Sequence, residues 1–218
     1  MKNGKFLSLF LSVALAFLMV SSSIAVPLLC RPFYYAHIGP MDLTRHGLTR
    51  EEIVTAYGEM MDYCLGLTEE FSAGALAFSE SGASHFADVR ALFLLDLRVL
   101  AAAAVLLAAA FLLCRAKGIR PYRFGGRGCG FWAACGLGAG FLAVGGLAAL
   151  DFDRAFTVFH ALFFPGKTNW IFSAKDDPII LYLPQEFFRN CALLILGVLL
   201  LWCAVLIIAD LRSGKPRK

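Results

Sequence analysis

No two cysteines in this chain stand at CxxC spacing, and no two histidines stand at HxxxH or HExxH spacing. Those absences remove the zinc-finger, dithiol-redox and helical zinc-protease signatures. Of the seven cysteines, Cys114, Cys129, Cys135, Cys191 and Cys203 sit in or beside apolar runs, where a thiol behaves as a small hydrophobe. Cys30 and Cys64 are both expected on the extracytoplasmic side, where a disulfide is allowed and not required. The run Gly125-Gly126-Arg127-Gly128-Cys129-Gly130 follows a basic loop and no strand, so it is not a nucleotide-binding loop. The basic loop flanks apolar runs on both sides and reads as a topology signal, so no nucleic-acid partner is expected. Charge itself is scarce outside a few segments, so the formal +4 says little about partners.

What the chain has in excess is apolar residues. They make up 59% of 218 positions, with a mean hydropathy of +0.71, above what a soluble domain carries. Four runs, at about 6–29, 92–114, 128–150 and 190–209, are long enough to cross a bilayer. The first has a rival reading as a signal peptide, because Ser23-Ile24-Ala25 resembles a small-residue cleavage site. Its apolar stretch continues through Val26-Pro27-Leu28-Leu29, and no small residue precedes Cys30 as a lipobox needs. An uncleaved first helix is expected.

Lys and Arg concentrate at the N-terminus, in the loop from Arg115 to Arg127 and in the tail with Arg212, Lys215, Arg217 and Lys218. By the positive-inside rule these three are cytoplasmic. Segments 31–90 and 151–189 are then extracytoplasmic, and all four histidines fall in them. The expected architecture is a single all-α membrane domain: four transmembrane helices and two outer segments containing interfacial helices. Thr49-x-x-Glu52 is a capping box, after which Ile53, Tyr57, Met60, Met61 and Cys64 recur at helical spacing up to Gly66. His37 and His46, in turn-rich sequence, are expected at the surface. In the third span, Gly130-xxx-Ala134-xxx-Gly138 and Gly136-xxx-Gly140 mark close helix packing.

Two stretches carry chemistry. Ahead of the second span, His85, Asp88, Leu92, Asp96 and Val99 share a helical face, with His85 and Asp88 one turn apart. Ionisable groups at that depth face protein rather than lipid. After the third span, Phe152, Phe156, Phe159 and Phe163 form a helical aromatic stripe, with Asp153, Thr157 and His160 on its flank. The plainer alternatives are interfacial anchors and an amphipathic connector lying on the membrane. A short loop makes spans two and three antiparallel neighbours, which brings His85 and His160 to one outer site.

His85-x-x-Asp88-Val89, Asp151-Phe152, Phe156-x-x-Phe159-His160-x-x-Phe163-Phe164, Trp170, Asp177 and Pro184-x-x-Phe187-Phe188 resemble the bacterial lipoprotein intramolecular transacylase family, small four-helix membrane proteins of Gram-positive bacteria. Ser173-Ala174 stands where the family pattern has Asp-Pro, and Gln185 followed by Glu186 stands where it has an acid. The resemblance implies transfer of the sn-2 acyl chain of a diacylglyceryl-modified lipoprotein to the α-amine of its N-terminal cysteine, without a cofactor. His85 and His160 are the expected acid–base residues, either one as base; the shared helical faces offer Asp88 and Asp153 as their candidate partners, and Asp96, Trp170, Asp177 and Glu186 are expected to support them. The partners are lipoproteins and membrane lipids. Rivals from other classes are a metal-dependent membrane hydrolase using both histidines and a carboxylate, and a non-enzymatic membrane subunit.

Overall fold

All four long apolar runs fold as helices; the first, second and fourth extend beyond the stretch that hydropathy marks, and the third matches it to within a residue. In the computed structural model, which describes residues 2–213 with side chains from Gly4 onward, they are α1 (Lys2–Leu29), α4 (Glu80–Lys117), α5 (Cys129–Leu150) and α7 (Gln185–Ser213). Shorter helices are α2 (Arg31–Tyr35), α3 (Arg50–Cys64) and α6 (Phe152–Phe163). The tail cations Lys215, Arg217 and Lys218, used above to orient the chain, lie outside the described residues. The four long helices are each long and apolar enough to cross a membrane. Their outward surfaces agree: Val105, Leu112, Leu147 and Leu201 are all more than 60% exposed. A stripe of that kind is stable against lipid and not against water. This is a multi-pass all-α membrane protein.

The chain divides into two units. One comprises residues 1–26, 97–149 and 194–218. Its core is Met19, Ala134, Leu199 and Cys203. Small residues make the contact: a Cβ on Gly138 would meet the Cys203 Sγ at 3.5 Å, and one on Gly130 the Leu206 Cδ2 at 3.6 Å. The expected Gly130–Ala134–Gly138 face therefore packs, in keeping with close helix approach. The second expected pair does not, because Gly136 and Gly140 look onto open space. Buried Asp210 of α7 accepts the Gly128 N–H at the start of α5 (2.9 Å) and the guanidiniums of Arg123 (2.9 Å) and Arg127 (3.5 Å).

The other unit comprises residues 27–96 and 150–193. The capping box at Thr49 forms on both sides, and Gly66, at φ +74°, closes α3 with Leu67 N–H on the Asp62 carbonyl. The apolar face of α3 is buried as its spacing requires, in a core with Tyr34, Ile38, Leu43, Ile179, Tyr182 and Phe187. Tyr34 stacks on Tyr57 at 3.7 Å and donates its hydroxyl proton to the Tyr182 carbonyl. His37 and His46 are half-buried, contrary to expectation. Turns fold their segment back onto this core, so His37 packs edge-on to Phe33 and Phe187, and His46 edge-on to Tyr182. Cys30 and Cys64 are free thiols.

Candidate active site

The helix that carries His85 is fixed at its first turn. Ser79 caps α4: its Oγ accepts the Gly82 N–H at 2.9 Å. Asp177, only 4% exposed, then takes both Ser79 groups, the N–H on Oδ1 and the hydroxyl on Oδ2, each at 2.8 Å. Residue 82 has to be glycine for this, since a Cβ there would lie 2.1 Å from Asp177 Oδ1. So a carboxylate 98 residues away in sequence holds the turn from which His85 projects.

His85 and Asp88 lie in the first turns of α4, ahead of its charge-free apolar stretch from Val99 to Cys114. α6, capped by Asp151 on the Arg154 N–H, brings in His160. The two imidazoles lie 6.0 Å apart, centroid to centroid, and are 6% and 7% exposed. Aromatic rings enclose them. Phe164 and Phe172 meet His85 edge-on at 5.0 and 5.4 Å, while Phe156 (4.2 Å) and Trp170 (4.5 Å, stacked) cover His160.

His160 Nδ1 lies 2.8 Å from the Phe156 carbonyl. A carbonyl can only accept, so the proton sits on Nδ1 and the neutral ring keeps its lone pair on Nε2. His85 Nδ1 is buried without a hydrogen-bond partner. Burial pushes the His85 pKa down to about 4, assisted by His160 and Lys167 and opposed by Asp88. His160 is also lowered by burial, against the upward pull of the Phe156 carbonyl. Burial thus disfavours the charged form of both rings.

The expected histidine–aspartate units do not form as hydrogen bonds. Asp88 is bonded instead by the Lys167 ammonium and, at 3.0 Å, by the Asn169 amide. Burial pushes its carboxyl up, yet those two donors hold it below the usual carboxylate range. Its action on His85 is through space. Asp153 is exposed and takes the Gln185 amide at 2.5 Å. His160 turns inward and bonds its own helix, so Asp153 does not reach it. Asp96 is half-buried on α4, about three turns beyond His85. Trp170 is brought to His160, and its indole N–H is tied to the Lys167 carbonyl at 3.1 Å. Glu186 is exposed and lines a separate cavity of about 280 Å³ with Arg45 and His46. Among the described residues no three His, Cys, Asp or Glu side chains are grouped to hold a metal ion.

Lys167, Asn169, Ser79 and Gly82 escaped the sequence reading. The signals for them were present: three polar residues, Lys167-Thr168-Asn169, immediately before Trp170, and a serine three positions before a glycine at the start of a long helix.

Residues 9–188 match the family model of the lipoprotein intramolecular transacylase Lit. No individually curated protein matches the chain by sequence. Among solved structures, the integral membrane lipoprotein intramolecular transacylase Lit from Bacillus cereus superposes with a TM-score of 0.86 at 22% identity, covering 98% of this chain and 96% of that one. Two variants of the same protein, with arginine or alanine in place of a histidine, superpose with TM-scores of 0.78. The arginine variant shares 21% identity over 98% of this chain and 96% of that one; the alanine variant shares 22% over 97% and 95%. At these identities the structures establish the fold, and the family model establishes the membership. The chain belongs to the lipoprotein intramolecular transacylase family, Lit, and is an integral membrane acyltransferase.

Proposed function

We propose that the paired imidazoles of His85 and His160 carry the transacylation, moving the sn-2 acyl chain of a diacylglyceryl lipoprotein onto the α-amine of its N-terminal cysteine. The observation that supports this most is the juxtaposition of two buried histidines in an aromatic enclosure. Nucleophile and ester arrive on one substrate molecule, so the entropy of bringing them together is already small. The free amine attacks the ester carbonyl, a C–N bond forms, and negative charge develops on the carbonyl oxygen. His160, with its lone pair on Nε2, takes the ammonium proton of the adduct. The face of Trp170 and the Phe156 carbonyl favour the resulting imidazolium. His85, held neutral by burial, donates its N–H to the oxyanion. The C–O bond to the glycerol then breaks and the proton from His160 ends on that oxygen. Asp88, held by Lys167 and Asn169, and Asp177, through the α4 cap, act as positioning residues. Phe156 and Phe164 border the acyl chain.

The Lys/Arg distribution supports an orientation with both termini cytoplasmic and the histidines at the outer leaflet of a bacterial cell membrane. The experiment is fragment-ion mass spectrometry of a reporter lipoprotein's N-terminal peptide, with and without this protein. Intramolecular transfer leaves the parent mass unchanged and moves one acyl group to the amine-containing fragments. A parent lighter by one acyl chain would instead indicate a hydrolase, and unchanged fragments would reject the reading.

A further inference from the structure

The first unit contains a groove of about 550 Å³ at the end of α4 remote from His85. Leu11 and Leu15 of α1 and Leu107 and Phe111 of α4 supply apolar walls, and Arg115 and Arg120 also line it. No Asp or Glu occurs between Asp96 and Asp151. Asp210 is the sole acid in this unit, and Arg123, Arg127 and the Gly128 N–H already occupy it. Among the described residues, Arg115 and Arg120 therefore have no protein anion, and neither side chain makes a hydrogen bond or ion pair. Among those residues, Lys117 and Arg212 of this unit also lack a partner acid, and Arg115 and Arg120 are the unpaired cations that line the groove. Two uncompensated guanidiniums beside an apolar groove complement a molecule with an acyl tail and a phosphate.

We infer that this groove binds one anionic phospholipid, its phosphate on Arg115 and Arg120 and an acyl chain between α1 and α4. The size lies in the range of ligand sites, roughly 300–1,000 Å³. Guanidiniums suit the phosphate because their planar forks bond two oxygens at once. The site is separate from the histidine pair, and its occupation does not depend on the reaction assigned above. The leaflet follows the proposed orientation, and the binding does not depend on that either.

The test uses the purified full-length protein in detergent, titrated with phosphatidylglycerol or phosphatidylcholine of matched acyl chains and read by native mass spectrometry. One saturable phosphatidylglycerol is expected, retained well below the concentration at which phosphatidylcholine is. Each arginine should contribute about fivefold in affinity, so the double Arg115→Ser/Arg120→Ser variant should lose roughly 25-fold and with it the selectivity. An acyl-diazirine phosphatidylglycerol should crosslink to peptides containing Leu107–Phe111 or Leu11–Leu15. Ala110→Trp, which fills the groove and keeps both arginines, should abolish the saturable site for either lipid. This variant keeps the proposal testable if the double variant does not fold. Equal retention of the two lipids, unsaturable uptake, crosslinks elsewhere, or a second protein copy in place of lipid would overturn the assignment.

Discussion

Gly82→Ala is a one-methyl substitution with a large consequence. A Cβ at residue 82 would lie 2.1 Å from Asp177 Oδ1, 2.7 Å from its Cγ and 3.2 Å from Oδ2, so the carboxylate has to leave. Asp177 is a side chain 4% exposed, and its two bonds from Ser79 hold the start of α4. Hydrogen bonds to a charged group contribute about 1.5–3 kcal/mol each, and displacement weakens both. Against this, alanine is favoured over glycine within a helix by about 1 kcal/mol. The net expectation is a loss of about 2–4 kcal/mol, reduced N-acylation, and a lower thermal midpoint in detergent. A second background identifies the cause. With Asp177→Ala already in place the clash has no partner, so Gly82→Ala should become neutral or mildly stabilising. Equal cost in both backgrounds, or no cost in the wild type, would refute the account of how His85 is positioned.

Gly138→Leu should destabilise the protein by about 1–3 kcal/mol through overpacking against Cys203, while Gly136→Leu, facing open space, should leave the thermal midpoint unchanged. His85 binds its proton less readily when folded than at its ordinary value of 6.5. The unfolded chain therefore takes up more protons, and stability should fall as pH drops from 6.5 towards about 4. His85→Gln should flatten that part of the wild-type curve, and identical curves would contradict a neutral His85. In a Cys30→Ser background, a membrane-impermeant maleimide should label Lys175→Cys from outside intact cells; labelling from the cytoplasmic side alone would reverse the proposed orientation.

Local signals were legible in the sequence and distant pairings were not. The capping box at Thr49, the buried face of α3, the packed Gly130–Gly138 face and the four long helices all follow from spacing of a few residues. The neighbouring placement of His85 and His160 followed from topology, since each flanks one of two spans joined by a short loop. Which groups bond Asp88 and Asp177 did not follow, because Lys167 and Ser79 stand 79 and 98 residues away from them. The same distance explains the missing histidine–aspartate units. A shared helical face puts Asp153 near His160 in projection, yet Gln185, 32 residues on, takes the carboxylate. A backbone carbonyl one turn away then satisfies the imidazole.

The central claim is that His85 and His160 act as one unit on one ester. Its most direct test is fragment-ion analysis of the reporter peptide from cells carrying His85→Ala, His160→Ala or both, with protein levels matched. Residues acting as a unit are non-additive in their effects. The account predicts that each single substitution removes N-acylation and that the double substitution is no worse than either. Full N-acylation in either single variant, or losses that multiply in the double, would contradict it.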